Sequence, residues 1–148
     1  MINVNKNGEV WVFAEQHYNK LEETPQELLS KARTLADTLK VKVGAILVGS
    51  KVKELSKTLI ALGADKVYVV DDTQLKMYQT SSYAKVICNL VNKYEPQIVL
   101  YGATPVGRDL APRIASELKA GLTADCTDLQ IGNHKVNKTG EVHDNLLF

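Results

Sequence analysis

The stretch VKVGAILVG, residues 41–49, decides the class of fold. Apart from one lysine it is a continuous apolar run, without the polar alternation of a strand that has one face in water. Such runs are typical of strands that are buried on both faces in a parallel sheet. The stretch therefore predicts a central strand of an α/β protein, whose neighbouring segments supply the helices that cover it.

An amphipathic helix is predicted immediately before this strand, over residues 24–40. Its sequence, TPQELLSKARTLADTLK, repeats apolar residues at intervals of three and four, which places them on one face of a helix. Thr24 is predicted as the N-cap, Pro25 as the first helical residue, and Glu27 as the partner of Thr24 in a capping box.

The alternation of short apolar runs and longer amphipathic segments continues along the chain. Further strands are predicted at 9–15, 65–72 and 97–102, and further helices at 51–64, at 81–96 and after residue 102. Gly63 stands where the second helix needs a left-handed residue at its C-terminal end. Four strand–helix units indicate a doubly wound α/β fold, with a mainly parallel sheet and helices on both faces. A last strand is predicted in 125–132, before a polar, hairpin-like tail over 133–148.

The composition is that of one globular domain. The 148 residues suffice for a single core but not for two ordinary domains. The net charge is +1, and basic and acidic residues are interspersed. Because this leaves no basic field, nucleic acid and anionic membranes are disfavoured as partners. No apolar run approaches the roughly 20 residues that span a bilayer, so a cytoplasmic protein without membrane insertion is expected.

The reactive residue types are sparse. Cys88 and Cys126 form no CxxC pair and are expected to be buried or half-buried thiols. The three histidines, His17, His134 and His143, lie in different segments and are expected to be solvated side chains. No metal-ligand spacing and no nucleophile–base pair is present, so bond-making chemistry is not expected of this domain alone.

The segment YGATPVGRDLAPRIASEL, residues 101–118, is the candidate site. In a doubly wound sheet, ligands bind beyond the carboxyl ends of the strands, where a loop leads into a helix. Pro112 is predicted to lie in the first helical turn, which makes Asp109 or a close neighbour the N-cap. The free amides of residues 108–114, the Thr104 hydroxyl and the Arg108 guanidinium would then offer an anion site.

Two interpretations of this segment stay open on the residues alone. It matches neither of the two common phosphate-binding glycine motifs, and the Asp109 carboxylate would compete with a phosphate for the helix end. Arg108 and Arg113 could equally pair with acids of a partner protein. Asp71 and Asp72 end the third strand, where they make a poor phosphate seat or are simply solvated. The segment is therefore either a structural turn at an interface or a ligand site.

Three stretches carry a family resemblance: VWVFAEQ, LGADKVYVVDD and YGATPVGRDLAPRIASELKAGLTADCTDLQIG. In the same order, and over almost the whole chain, they resemble the N-terminal domain of the electron transfer flavoprotein alpha subunit. The resemblance implies an adenine nucleotide alpha hydrolase-like fold. It also implies a scaffold that packs on an electron transfer flavoprotein beta subunit to form a heterodimer.

The resemblance further implies where the cofactors and partners are. FAD is expected in a C-terminal domain after residue 148, so the chain is expected to be a truncated form. A second FAD or AMP is expected in the beta subunit. Electrons are expected to pass between a flavin dehydrogenase, such as an acyl-CoA dehydrogenase, and an acceptor, in some members with electron bifurcation. Thr104, Gly107 and Arg108 are candidate cofactor-binding residues at the cleft between the subunits, which the segment 121–128 is also a candidate to approach.

One alternative from another class is a free-standing adenine-nucleotide-binding module of the universal-stress-protein type, which shares the strand–helix alternation. Against it, the glycine-rich motif expected of that group after the fourth strand is absent. An oxidoreductase with its own dinucleotide site is disfavoured because the G-x-G-x-x-G motif is absent.

Overall fold

The computed structural model describes residues 5–122, 130–135 and 142–147. In chain order the elements are β1 (Val10–Phe13), β2 (Gln16–His17), β3 (Lys20–Leu21), α1 (Thr24–Leu39), β4 (Val43–Gly49), α2 (Leu55–Ala61), β5 (Lys66–Asp71), α3 (Thr80–Tyr94), β6 (Ile98–Leu100), α4 (Pro105–Leu118), β7 (Gln130–Lys135) and β8 (Val142–Leu147), with a 3₁₀ turn at Thr73–Leu75. The predicted alternation of strands and helices is confirmed.

Four strands form one parallel sheet in the order β5-β4-β1-β6. The stretch that predicted the fold supplies β4, and every residue of this strand is buried. Because all four strands run in the same direction, their carboxyl ends lie at the same end of the sheet. The predicted doubly wound α/β class is confirmed.

The core lies in two layers, one on each face of the sheet. Alternate residues of β1 divide between them: Val10 and Val12 pack with α1 and α2, while Trp11 and Phe13 pack with α3 and α4. Each of these side chains is at most 3% exposed, and burial of one such side chain contributes about 1.5–3 kcal/mol. The strands are therefore apolar throughout because both of their faces are covered.

The start of α1 differs from the prediction by one residue. Thr24 is the first helical residue, and Glu23 takes the N-cap position with no side-chain capping bond, so the predicted capping box is wrong. The side chain of Thr24 packs instead against the loop after β6. Its Cγ2 lies 2.6 Å from where a Cβ on Gly102 would stand, so this contact requires glycine at position 102.

The second helix is shorter than predicted. It begins at Leu55 rather than near residue 51, because the residues after β4 first form a turn that binds the end of β5. Its C-terminal end follows the prediction, since Gly63 has a φ of 119°. Glycine has no Cβ to oppose this conformation.

Two hairpins accompany the main sheet. The pair β2–β3 was not predicted, and its two-residue loop places Tyr18 and Asn19 at positive φ. The pair β7–β8 is antiparallel, which confirms the predicted hairpin in the tail. Residues 123–129, which include Cys126 and most of the predicted strand at 125–132, lie outside the described residues. None of the helices within the described ranges is long and apolar enough to cross a membrane.

Candidate functional site

The strand order places a topological switch point between β1 and β6. From β1 the chain proceeds to β4 and β5 on one side, and β6 is added on the other. In open α/β sheets the ligand crevice lies at such a point, beyond the carboxyl ends of the strands. The residues that follow β1 and β6 therefore form the candidate site.

Glu15 occupies the β1 side of this crevice. It is 5% exposed, and it is the one charged or polar residue among those described that is buried to this extent. Its Oε2 accepts a hydrogen bond of 2.6 Å from the Thr104 hydroxyl, and its Oε1 lies 3.1 Å from Nε2 of His17. Glu15 was not predicted as a site residue; the sequence indicated only an acid at the end of an apolar strand.

Thr104 occupies the β6 side and begins α4. It is the N-cap, and its hydroxyl accepts a hydrogen bond of 3.0 Å from the Gly107 amide. The predicted N-cap at Asp109 is wrong, because the helix already starts at Pro105 and continues through Pro112. Proline at position 105 has no amide hydrogen to lose at a helix start, so it suits this position better than Pro112 does.

Gly107 lets α4 approach the preceding loop. A Cβ at this position would collide with the carbonyl oxygen of Gly102. Its amide is capped by Thr104, and the Arg108 amide donates to the Thr104 carbonyl oxygen over 2.9 Å. The prediction of free amides over residues 108–114 is therefore wrong, because these residues lie inside the helix.

Asp109 faces the loop before α3 instead of the helix end. Its Oδ2 accepts hydrogen bonds from the Tyr78 hydroxyl, over 2.7 Å, and from the Thr80 hydroxyl. These bonds hold the pKa of Asp109 below its usual value. Burial, together with the Asp109 and Glu15 charges, raises the pKa of Tyr78 to about 12. The crevice is thus lined by carboxylates and hydroxyls.

The predicted site residues Thr104, Gly107 and Arg108 lie within one turn at the start of α4. The Thr104 hydroxyl and the Gly107 amide are bonded within the chain. Arg108 is exposed at the end of the first helical turn. Their contact with a cofactor or a second subunit stays a prediction.

A second anion-binding position, at the same end of the sheet, is occupied by the Asp71 carboxylate. Its carboxylate accepts hydrogen bonds from the amides of Lys51, Val52 and Lys53, at 2.7, 2.9 and 3.3 Å. Lys51 has a φ of 58°, and successive amides around a left-handed residue form a concave anion seat. Asp72 accepts a bond from the Gln74 amide and caps the 3₁₀ turn. Neither acid is merely a solvated strand end.

Other reactive groups do not join this site. Cys88 is 7% exposed, which confirms the expected buried thiol, and burial, followed by the nearby Glu117 carboxylate, raises its pKa to about 11. In the ranges that the structure describes, no group of three His, Cys, Asp or Glu residues is arranged to hold a metal ion. The described crevice therefore offers binding and packing groups rather than a metal centre.

The fold and crevice define the class: a doubly wound α/β domain in which Thr104 bonds Glu15 across the switch point and Asp71 occupies the amides after β4. Residues 10–145 match the family described as the electron transfer flavoprotein domain. This chain belongs to that family.

Similar proteins include the electron transfer flavoprotein subunit alpha of Thermoanaerobacterium thermosaccharolyticum, 55% identical over 86% of this chain and 39% of that protein. The acryloyl-CoA reductase electron transfer subunit beta of Anaerotignum propionicum is 48% identical over 89% of this chain and 36% of that protein. Subunit LctC of the lactate dehydrogenase (NAD(+),ferredoxin) of Acetobacterium woodii is 44% identical over 71% and 25%, respectively. The chain thus spans less than two fifths of the length of these relatives.

Proposed function

We propose that this chain is the N-terminal domain of the alpha subunit of a heterodimeric electron transfer flavoprotein. It acts as the scaffold that packs on the beta subunit. FAD is held by a C-terminal domain that follows residue 148, and a second FAD or AMP by the beta subunit. The whole cytoplasmic protein carries electrons between a flavin dehydrogenase, such as an acyl-CoA dehydrogenase, and an acceptor.

The names of the relatives support this proposal. Two of them are electron transfer subunits, and the third is a subunit of a dehydrogenase named for both NAD(+) and ferredoxin. The last name is the reason to include electron bifurcation in the proposal. No step of electron transfer is assigned to the described crevice.

The observation that carries the scaffold role is the buried Glu15 carboxylate at the switch point. A nucleotide phosphate placed there would face a negative charge in a poorly solvated setting, and like charges repel strongly there. The backbone amides after β4 are likewise already bonded to the Asp71 carboxylate. Both features disfavour the alternative of a free-standing adenine-nucleotide module, which the comparisons do not support either.

Two measurements test the scaffold role. The purified chain is expected to be colourless and to form a one-to-one complex with an electron transfer flavoprotein beta subunit in size-exclusion chromatography. Calorimetric titration with AMP and ATP is expected to give no heat of binding without the beta subunit. Failure to form the complex would overturn the proposal, and micromolar nucleotide binding by the isolated chain would support the alternative.

Arg108 is the residue that we place at the cleft between the subunits. Arg108 is exposed near the start of α4, and a planar guanidinium suits a carboxylate of the partner or a flavin phosphate. Arg108→Ala is expected to weaken assembly with the beta subunit. Arg113→Ala is the matched control, because it removes an arginine from the same helix, and the bond that it breaks is the one to Glu117. Equal assembly, flavin content and electron transfer in Arg108→Ala would show that this placement is wrong.

A further inference from the structure

Three aromatic side chains are in contact toward the amino end of the sheet, away from the crevice. The ring centroids of Trp11 and Tyr68 are 4.6 Å apart, and those of Tyr68 and Tyr94 are 4.7 Å apart. Trp11 is fully buried, whereas Tyr94 is 44% exposed. The three rings therefore form a continuous contact from the core to the surface.

The Glu9 carboxylate accepts hydrogen bonds from both inner rings, Trp11 and Tyr68. Oε1 of Glu9 accepts hydrogen bonds from the Tyr68 hydroxyl, at 2.5 Å, and from the Trp11 indole, at 3.0 Å. Oε2 of Glu9 lies 3.1 Å from the Lys66 ammonium. Burial alone would raise the pKa of Glu9, but these three partners hold it below its usual value. Glu9 is therefore an ionised proton acceptor in direct contact with the Tyr68 phenol.

Gly44 makes room for this arrangement. It is the second residue of the buried strand β4, where glycine packs less apolar surface than any other residue. A Cβ at position 44 would stand 2.8 Å from Cδ1 of Trp11 and 3.0 Å from Cε2 of Tyr68. The close approach of the two rings thus depends on glycine at this position.

We propose that Tyr94, Tyr68 and Glu9 form a proton-coupled redox site that reacts with bulky one-electron oxidants at the protein surface. One electron leaves Tyr68 by way of the Tyr94 ring and reduces the oxidant by one electron. The phenol proton of Tyr68 passes to Oε1 of Glu9. The products are a neutral Tyr68 radical, a neutral Glu9 carboxylic acid and the reduced oxidant, so charge and protons balance.

The radical rests on Tyr68 rather than on its neighbours for two reasons. The Lys93 ammonium lies 5.2 Å from the centre of the Tyr94 ring, and this charge opposes a second positive charge there. Trp11 shares the Glu9 acceptor, but tyrosine is the easier side chain to oxidise once its proton can leave. Tyr68 is therefore bonded to a proton acceptor, Glu9, and contacts an exposed ring, Tyr94, through which its electron can reach an oxidant in solvent.

The test uses the 148-residue chain carrying Tyr18→Phe, because Tyr18 is 81% exposed and would react directly. Tris(bipyridine)ruthenium(III), generated by a light flash with a cobalt(III) amine as electron acceptor, serves as the oxidant. Freeze-quench electron paramagnetic resonance is expected to show a neutral tyrosyl radical that Tyr68→Phe removes. Glu9→Gln is expected to slow its formation about tenfold, because the charged proton acceptor is lost.

Two tyrosines provide matched controls. The Tyr78 hydroxyl bonds the Asp109 carboxylate, and the Tyr83 hydroxyl bonds the Leu75 carbonyl oxygen. Tyr78→Phe and Tyr83→Phe are expected to leave the radical unchanged. A radical that survives Tyr68→Phe, that disappears in Tyr78→Phe, or that forms at the same rate in Glu9→Gln would overturn the proposal.

A folding control and an independent variant complete the test. Circular dichroism checks each variant, and Tyr94→Leu, which leaves Tyr68 and Glu9 in place, is expected to slow radical formation without changing its spectrum. An unchanged rate in Tyr94→Leu would also contradict the proposal. The redox site does not rest on the subunit assignment, so its failure would leave the heterodimer proposal standing.

Discussion

The hydroxyl of Thr104 donates a hydrogen bond of 2.6 Å to the buried carboxylate of Glu15 and so joins the loop after β6 to the end of β1. The same hydroxyl accepts a bond from the Gly107 amide. One side chain therefore caps α4 and closes the switch point between the two halves of the sheet. In a domain that serves as a scaffold, this contact fixes the position of α4 relative to β1.

Replacement of Thr104 by valine is expected to lower the free energy of unfolding by about 2–4 kcal/mol, since the helix loses its cap and a buried carboxylate oxygen loses its donor. Valine has nearly the same shape, so packing is preserved. Thr104→Ser keeps the hydroxyl and should cost far less. Urea denaturation of both variants measures the difference; equal losses in the two would mean that the hydroxyl does not stabilise the fold.

Gly107→Ala is expected to destabilise the protein by about 1–3 kcal/mol, the usual cost of overpacking. The added Cβ would meet the backbone carbonyl of Gly102, which moves only if α4 moves with it. Gly121→Ala is the control, because nothing lies within 4 Å of a Cβ at that position. Thermal unfolding followed by circular dichroism would contradict the assignment if both variants melted together.

The sequence predicted the elements whose pattern is set by burial. The run at 41–49 and the helical stripes around it depend only on which residues face the core, and these predictions are confirmed. The family resemblance carried by the segment at 101–118 is confirmed as well. Long apolar periodicities are readable because the hydrophobic effect acts on every residue of the element.

The details of the crevice were not predictable in this way. The N-cap of α4 is Thr104 rather than Asp109, and Pro105 at the first helical position is a local signal for it, but the bond of Thr104 to Glu15, 89 residues earlier in the chain, has no local signal. The hydrogen bonds of the Asp71 carboxylate likewise come from amides of a turn about 20 residues before it. Such contacts arise from tertiary structure, and local sequence rules contain no information about them.

Substitutions in the hairpin loop between β2 and β3 are expected to stabilise the protein. Tyr18 and Asn19 have φ values of 50° and 64°, and a two-residue hairpin loop with both central residues at positive φ favours Asn-Gly. The double change Tyr18→Asn and Asn19→Gly should raise the free energy of unfolding by about 1 kcal/mol. Tyr18→Phe alone should leave it unchanged, and urea titrations of both would expose a loss in the double variant as a contradiction.

Asp71 is expected to make stability depend on acid pH. The pKa of its carboxyl is lowered by the amides that it accepts, first that of Lys51, then those of Val52 and Lys53. A group whose pKa is lower in the folded state binds a proton more readily when unfolded. Its contribution is therefore complete above the unfolded pKa of about 3.9, and it is lost as the pH falls toward the folded value.

Asp71→Asn removes this dependence, because the amide side chain keeps the shape and one acceptor oxygen but does not titrate. We expect the free energy of unfolding of this variant to fall less steeply than that of the wild type below about pH 4. Glu54→Gln is the control, since it breaks only an exposed pair with Lys57 on the surface of α2. Urea titrations at a series of acid pH values compare the three proteins. If the free energies of unfolding of Asp71→Asn and wild type changed in parallel with pH, the amides after β4 would not stabilise the charged form of Asp71.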